Sequence, residues 1–353
     1  MPTHKNLTLV AILSLFIHNY GFLRTGVANN APRLRRSGSG GSSRASGDVG
    51  IFGTNNVMKL GLRFDRSRDV HMKATGSRWG QGESGRNLAF KASEGNTLSY
   101  DCFFSSSGRT PVVYLPGLIR QKNEAKATNL QAFCRRNDLT YFCADYLGVG
   151  RSSGAFEDGS VGKWASDSIM LMESVLDVGK SSGKVILVGH GVGAWVSMLV
   201  ASKRPDLVSG IVGLSADPDF TEELLWKTLP EDKKQEIMNK GVAEITWGTE
   251  KYKISRKLIE DGRENLLLRG QPGSIPVRCP VRLVHSLNDE EVPFALALKL
   301  AENCASTDTT VCLVKGSSHA LDREADMNTM RHMIWEVLDA FKGEFDLRSP
   351  GSG

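Results

Sequence analysis

The chain reads as an α/β protein: a mostly parallel central sheet with helices on both faces and a helical cap inserted late in the domain. Two observations carry that reading. From Leu88 onward short apolar runs alternate with amphipathic helical stretches, the pattern of parallel strands covered on both sides. Between Asp217 and about Pro276 the alternation stops and charged helical segments take over, such as Thr221 to Leu229 and Glu231 to Lys240. The expected strands are Val112 to Leu115, Thr140 to Ala144, Lys184 to Val188, Gly210 to Gly213, Val281 to His285 and Thr310 to Val314. Helices are expected between them, around Gln121 to Arg136, Val161 to Val178, Phe294 to Glu302 and Asn328 to Phe341. The insertion at about 217–276 reads as a cap over the face where the site would lie.

At 353 residues the chain holds one large domain with extensions: 88–343 for the domain, 344–353 for a C-terminal tail. The formal charge of +5 is concentrated at the start, where residues 1–47 carry six Lys/Arg and no acid. With those six set aside, the 44 basic residues fall to 38 against 39 acidic ones, so the body is near neutral. It has no basic stripe, which argues against nucleic acid as a partner. A small molecule or a protein is expected instead. Lys5 followed by the apolar run from Leu7 to Ile17 has the shape of a signal-peptide core, too short for an integral membrane span. The Arg-, Ser- and Gly-rich stretch from Arg24 to Arg44 has transit-peptide composition, so 1–47 reads as a cleavable leader to an organelle, mitochondrion or plastid. Residues 48–87 read as a flexible linker. Six cysteines without Cys-x-x-Cys spacing or paired histidines read as reduced thiols, not a metal site or disulfide framework.

The chemistry is concentrated in three places. The run Val185-Ile186-Leu187-Val188 leads into Gly189-His190-Gly191-Val192-Gly193, and a helix from Ala194 follows. That is the strand, turn and helix of the nucleophile elbow G-x-S-x-G of the α/β-hydrolase fold, with Gly191 where the serine belongs. Downstream, Val284-His285-Ser286-Leu287-Asn288-Asp289 ends a strand in an acid, and Gly316-Ser317-Ser318-His319 follows the last strand. Nucleophile, acid, histidine is the chain order of this fold. Asp289 is the candidate orienting carboxylate, with Glu290 and Glu291 as weaker substitutes, and His319 is the candidate base. Leu115-Pro116-Gly117-Leu118 leaves an early strand through Pro-Gly, so the Leu118 and Val192 N–H groups are the candidate oxyanion donors.

Further segments occur in an order that resembles one subgroup: Asp145-Tyr146-Leu147-Gly148-Val149-Gly150-Arg151-Ser152-Ser153-Gly154, Gly162-Lys163-Trp164, Lys240-Gly241-Val242, Cys279-Pro280-Val281-Arg282-Leu283 and Glu324-Ala325-Asp326. They are similar to the mitochondrial palmitoyl-protein thioesterase and acyl-glucuronide esterase group of the α/β-hydrolases. The resemblance covers about residues 88–343. It implies a helical cap, and ester or thioester hydrolysis of a small acyl ester or an acylated protein without metal or organic cofactor. Two departures stand out: Ser286 replaces a glycine shortly before the acid, and Gly191 replaces the catalytic serine. The second excludes a conventional acyl-enzyme, because glycine has nothing to attack with. In that respect the chain resembles the N-myc downstream-regulated proteins. Three readings follow: a binding pseudo-hydrolase, an esterase whose functional transcript encodes serine at 191, and a hydrolase in which His319 activates water.

Overall fold

The structure is a computed structural model and describes residues 72–73, 83–92, 95–179, 183–247 and 250–348. A nine-stranded sheet organises them: β1 (Met72–Lys73), β2 (Glu83–Lys91), β3 (Thr97–Phe103), β4 (Val112–Leu115), β5 (Tyr141–Ala144), β6 (Val185–His190), β7 (Val208–Leu214), β10 (Val281–Ser286) and β11 (Thr309–Val314). Their order across the sheet is β1-β2-β3-β5-β4-β6-β7-β10-β11. The first three strands join antiparallel, and from β5 to β11 every pairing is parallel.

The central parallel strands β4, β6, β7 and β10 are buried without exception, because helices cover both faces, while the edge strand β11 is only half-buried. Side chains alternate between two cores. Val113, Leu115 and Leu187 point into one core, which takes in the buried faces of α2 (Val161–Val175), α3 (Val192–Lys203) and α6 (Ala295–Asn303). Val112, Tyr114, Ile186 and Val188 point into the other, with α1 (Ala125–Arg136) and α7 (Glu324–Arg348). The helices that follow β4 and β6 therefore leave to opposite faces. A crevice opens at the C-terminal ends of that strand pair, the position where open α/β sheets hold ligands.

The expected parallel strands are present with bounds within two residues. Several other expectations need correction. β1 and the first half of β2 fall inside the stretch read as linker at 48–87, and β3 is not among the expected strands. All three join antiparallel; β2 exposes Arg86, Asn87 and Lys91 and shifts register between Gly85 and Leu88, and β3 buries the polar Ser99 and Asp101, so no continuous apolar run marks them. The cap is not wholly helical. It holds α4 (Glu231–Lys240) and α5 (Arg256–Glu264), a π-helical turn at Thr221–Trp226, and the antiparallel hairpin β8 (Val242–Trp247) with β9 (Glu250–Ser255). Ala243, Ile245 and Ile254 are buried while their neighbour Glu244 is exposed, a period of two that the Lys and Glu content of the segment conceals. α1 starts four residues later than expected because Gln121 to Glu124 form a turn closed by the Glu124 N–H to the Gln121 carbonyl at 3.0 Å. α2 ends at Val175, just before Asp177 turns to φ 55°. α7 runs on to Arg348, into the stretch read as tail. The leader expected at 1–47 lies outside the described residues. No helix among the described residues is long and apolar enough to cross a membrane.

Candidate active site

The elbow is built by the close approach of β4, β6 and α3. A Cβ on Gly189 would stand 2.4 Å from the Gly193 carbonyl oxygen, and one on Gly193 would stand 2.0 Å from the Leu115 carbonyl oxygen. Neither position admits a side chain, which is why glycines flank the turn. Gly191 between them differs. It sits at φ 53° and ψ −119°, and a Cβ there would meet only His319 Nε2, at 3.7 Å. Its N–H donates to the Leu214 carbonyl at 2.9 Å, and its own carbonyl accepts from Ala194 at 3.0 Å and Asp217 at 3.3 Å. The backbone of a nucleophile turn is intact, and the missing side chain would point at the base.

His319 is held from several sides. Its Nδ1–H donates to Asp289 Oδ2 at 2.9 Å, leaving Nε2 toward Gly191. Its carbonyl accepts from Ser215 Oγ at 2.8 Å and from His190 Nε2 at 3.2 Å. The loop that carries it is tied down by Ser317 Oγ to Asp326 Oδ2 at 2.6 Å, by Arg323 against the same carboxylate, and by the Gly316 N–H to Asn288 Oδ1 at 2.9 Å. Glu324-Ala325-Asp326, singled out from sequence, thus supports the histidine loop. Ser286, the other departure, donates to the Ser317 carbonyl at 2.6 Å and accepts from the Asn288 N–H. It joins the acid loop to the histidine loop.

Asp289 has a fully buried side chain. Oδ1 accepts from the Val292 and Glu291 N–H groups at 2.8 and 3.0 Å, and Oδ2 accepts from His319 and, at 3.1 Å, from His285 Nε2. Burial alone pushes this carboxyl upward, but the hydrogen bonds from His285 and His319 and the His319 charge outweigh it, holding the group well below the usual carboxylate range. Burial likewise opposes charging of His319, and the Asp289 hydrogen bond and charge, with Glu291 and Asp217 behind them, reverse that and raise its pKa. The site favours an Asp289 carboxylate beside an imidazole that readily accepts a proton. His190 is the opposite case: burial holds it well below its ordinary value, with further lowering by Lys126 and His319, so it acts as a neutral donor to the backbone.

Two groups at the site were not assigned roles from sequence. His285 is enclosed under Asp289, and it lay within the quoted strand motif without a role. Asp217 follows β7, and the first expectation about it was only that a cap begins there. Its Oδ1 is shut off from water with no hydrogen-bond partner, and burial, reinforced by Asp289, Glu291 and Asp219 against the pull of His319, raises its pKa to about 8. No motif could have signalled it. Ser197, one turn beyond Gly193 in the helix, donates to the Gly193 carbonyl at 2.8 Å and is no substitute nucleophile.

Gly191, Val192, Leu118, Asp217 and His319 line one cavity of about 410 Å³. Its cap-side wall is apolar: Phe220, Leu225, Ile245, Tyr252, Ile254 and Val292. Val192 opens α3, so its N–H has no partner within the helix. Neither it nor the Leu118 N–H carries a backbone hydrogen bond among the described residues. Asp289 and His319 are brought together, and both oxyanion candidates face the same cavity. The arrangement places a base paired to a carboxylate opposite a turn whose central residue has no side chain.

A family model for the alpha/beta hydrolase fold matches residues 110–240. Among curated proteins, the chain is 32% identical over 236 residues to "Palmitoyl-protein thioesterase ABHD10, mitochondrial" of Bos taurus, covering 66% of this chain and 74% of the relative. The Homo sapiens protein of the same name is 30% identical over the same length and shares. Among solved structures, alpha/beta hydrolase domain-containing protein 10 from mouse superposes with a TM-score of 0.62 at 27% identity, over 72% of this chain and 98% of that one. A putative hydrolase from Agrobacterium vitis S4 gives 0.64, also at 27%, over 71% and 96%. The chain belongs to the α/β-hydrolase family, in the group of the mitochondrial palmitoyl-protein thioesterases.

Proposed function

We propose that this protein is an acyl-ester and thioester site of the thioesterase lineage in which serine chemistry has been lost and acyl binding retained. One observation carries the reading. The side chain absent at Gly191 would point at His319 Nε2 from 3.7 Å, and His319, Asp289 and the two N–H donors surround that gap. Loss of a triad nucleophile costs about a million-fold in turnover, roughly 8 kcal/mol of barrier. What remains is the apolar pocket, the oxyanion donors and a base able to act on water at a low rate. The ligand is a small acyl ester or an acylated protein, with its acyl chain against Phe220, Ile245 and Ile254 under the cap. The residues before the domain act as a leader, and the mitochondrial designation of the relatives favours that organelle.

Fluorophosphonate probes test the loss of the nucleophile, because they react with an activated serine at an elbow. The wild-type protein is expected to remain unlabelled under conditions that label an active esterase to stoichiometry. Stoichiometric labelling at any residue would overturn the proposal.

A further inference from the structure

The gap left at residue 191 has a definite shape. In an acyl-serine intermediate the acyl carbon carries the carbonyl oxygen, in the oxyanion hole, and the serine Oγ, beside the histidine. A free carboxylate has the same atoms: its second oxygen stands where Oγ would be, and needs no Cβ behind it. Only a residue without a side chain at 191 leaves room for that oxygen. Four groups converge on the space. They are the Leu118 and Val192 N–H groups, His319 Nε2, and Asp217, which lines the same cavity. We infer that the cavity binds free long-chain carboxylic acids as carboxylates, one oxygen on the two backbone N–H groups and the other in the gap above Gly191, between His319 and Asp217. The inference rests on the proposed reading of the cavity as an acyl site, and it changes the ligand from the ester to the free acid.

The charges favour this occupant. His319 is disposed to carry a proton, which makes Nε2 a donor to the bound oxygen. Asp217 stands at about 8, held up first by burial, so below that pH it is a neutral acid whose O–H needs an acceptor. Its charged neighbours are His319, Asp289, Glu291 and Asp219, while Arg120, Glu124, Lys126 and Asp322 stand elsewhere around the cavity. Above about 8 Asp217 ionises, turns from a donor into a like charge, and repels the carboxylate. Affinity must then fall with rising pH, with a limiting slope of about tenfold per pH unit. Deprotonation of His319 acts in the same direction.

Calorimetric titration of the full chain with laurate, and with methyl laurate as the neutral counterpart, tests this. Laurate is expected to bind at least about tenfold more tightly than methyl laurate near pH 7, a preference worth about 1.4 kcal/mol. It is expected to weaken as pH passes through about 8. Asp217→Asn keeps a neutral donor and should remove that part of the fall, leaving the shallower contribution of His319. Gly191→Ala is the second variant. A methyl there cannot approach an oxygen closer than about 3.3 Å, so laurate affinity should drop by about tenfold or more while methyl laurate is less affected. Equal affinity for acid and ester, a pH-independent affinity, or laurate binding to Gly191→Ala as tight as to wild type would each overturn the inference. Laurate that fails to bind, while Gly191→Ser gains esterase activity, would overturn this inference and leave the proposed function standing. Laurate that binds while Gly191→Ser stays inert would do the reverse.

Discussion

Gly191 occupies φ 53° and ψ −119°, a region costing an L-residue about 1–3 kcal/mol. Glycine relieves that strain and gives up the attacking oxygen, so a single position trades chemistry for stability. Asp217 makes the opposite trade. Its folded pKa of about 8 lies above the carboxylate value, so the unfolded chain releases this proton first. Stability is therefore lost progressively as pH rises from about 4 to about 8, and is level above. Asp217→Asn removes the cost. It is expected to raise stability near neutrality by about 2 kcal/mol, seen as a higher melting temperature, and to change little at about pH 4. Thermal melts of both proteins across that range check it, and an equal gain at both ends would contradict the assignment. His319, Asp289, Leu118 and Val192 were legible as candidates because each sits beside a motif whose chain order is tied to the fold. Asp217 was not, since its standing comes from a cavity enclosed by segments far apart in the chain, from Gly117 to Asp322.

The strand, turn and helix around Gly191 depend on contacts that leave no volume. A methyl added at Gly193 would stand 2.0 Å from the Leu115 carbonyl oxygen and 2.5 Å from that of Pro116. Both obstacles are backbone at the end of β4 and cannot rotate away. Gly193→Ala is expected to destabilise the fold by about 3 kcal/mol or more, measured by denaturant unfolding. A change below about 1 kcal/mol would mean that α3 can slide on β4. The central parallel strands could be read from sequence because burial on both faces makes them continuous apolar runs. β2 and the cap hairpin β8–β9 each expose one face, and β3 buries the polar Ser99 and Asp101, so polar residues hid the alternation. The hairpin nonetheless supplies Ile245, Tyr252 and Ile254 to the cavity, so the least legible element helps form the acyl wall.

For the molecule as a whole, the leader and the activity are the properties to test. Residues 1–50 fused to a fluorescent reporter are expected to direct it to mitochondria and to be cleaved, and a diffuse, uncleaved reporter would refute the leader. The reading of the site as complete but for a serine side chain at 191 stands or falls on one experiment. That experiment is the hydrolysis of p-nitrophenyl acyl esters by Gly191→Ser, alone and combined with His319→Ala. The serine Cβ would stand 3.7 Å from His319 Nε2, close enough for Oγ to hydrogen-bond the base. Gly191→Ser is expected to gain several orders of magnitude over wild type, against a ceiling of about a million-fold, and to lose that gain when His319 is removed. A folded Gly191→Ser protein no faster than wild type would contradict that reading.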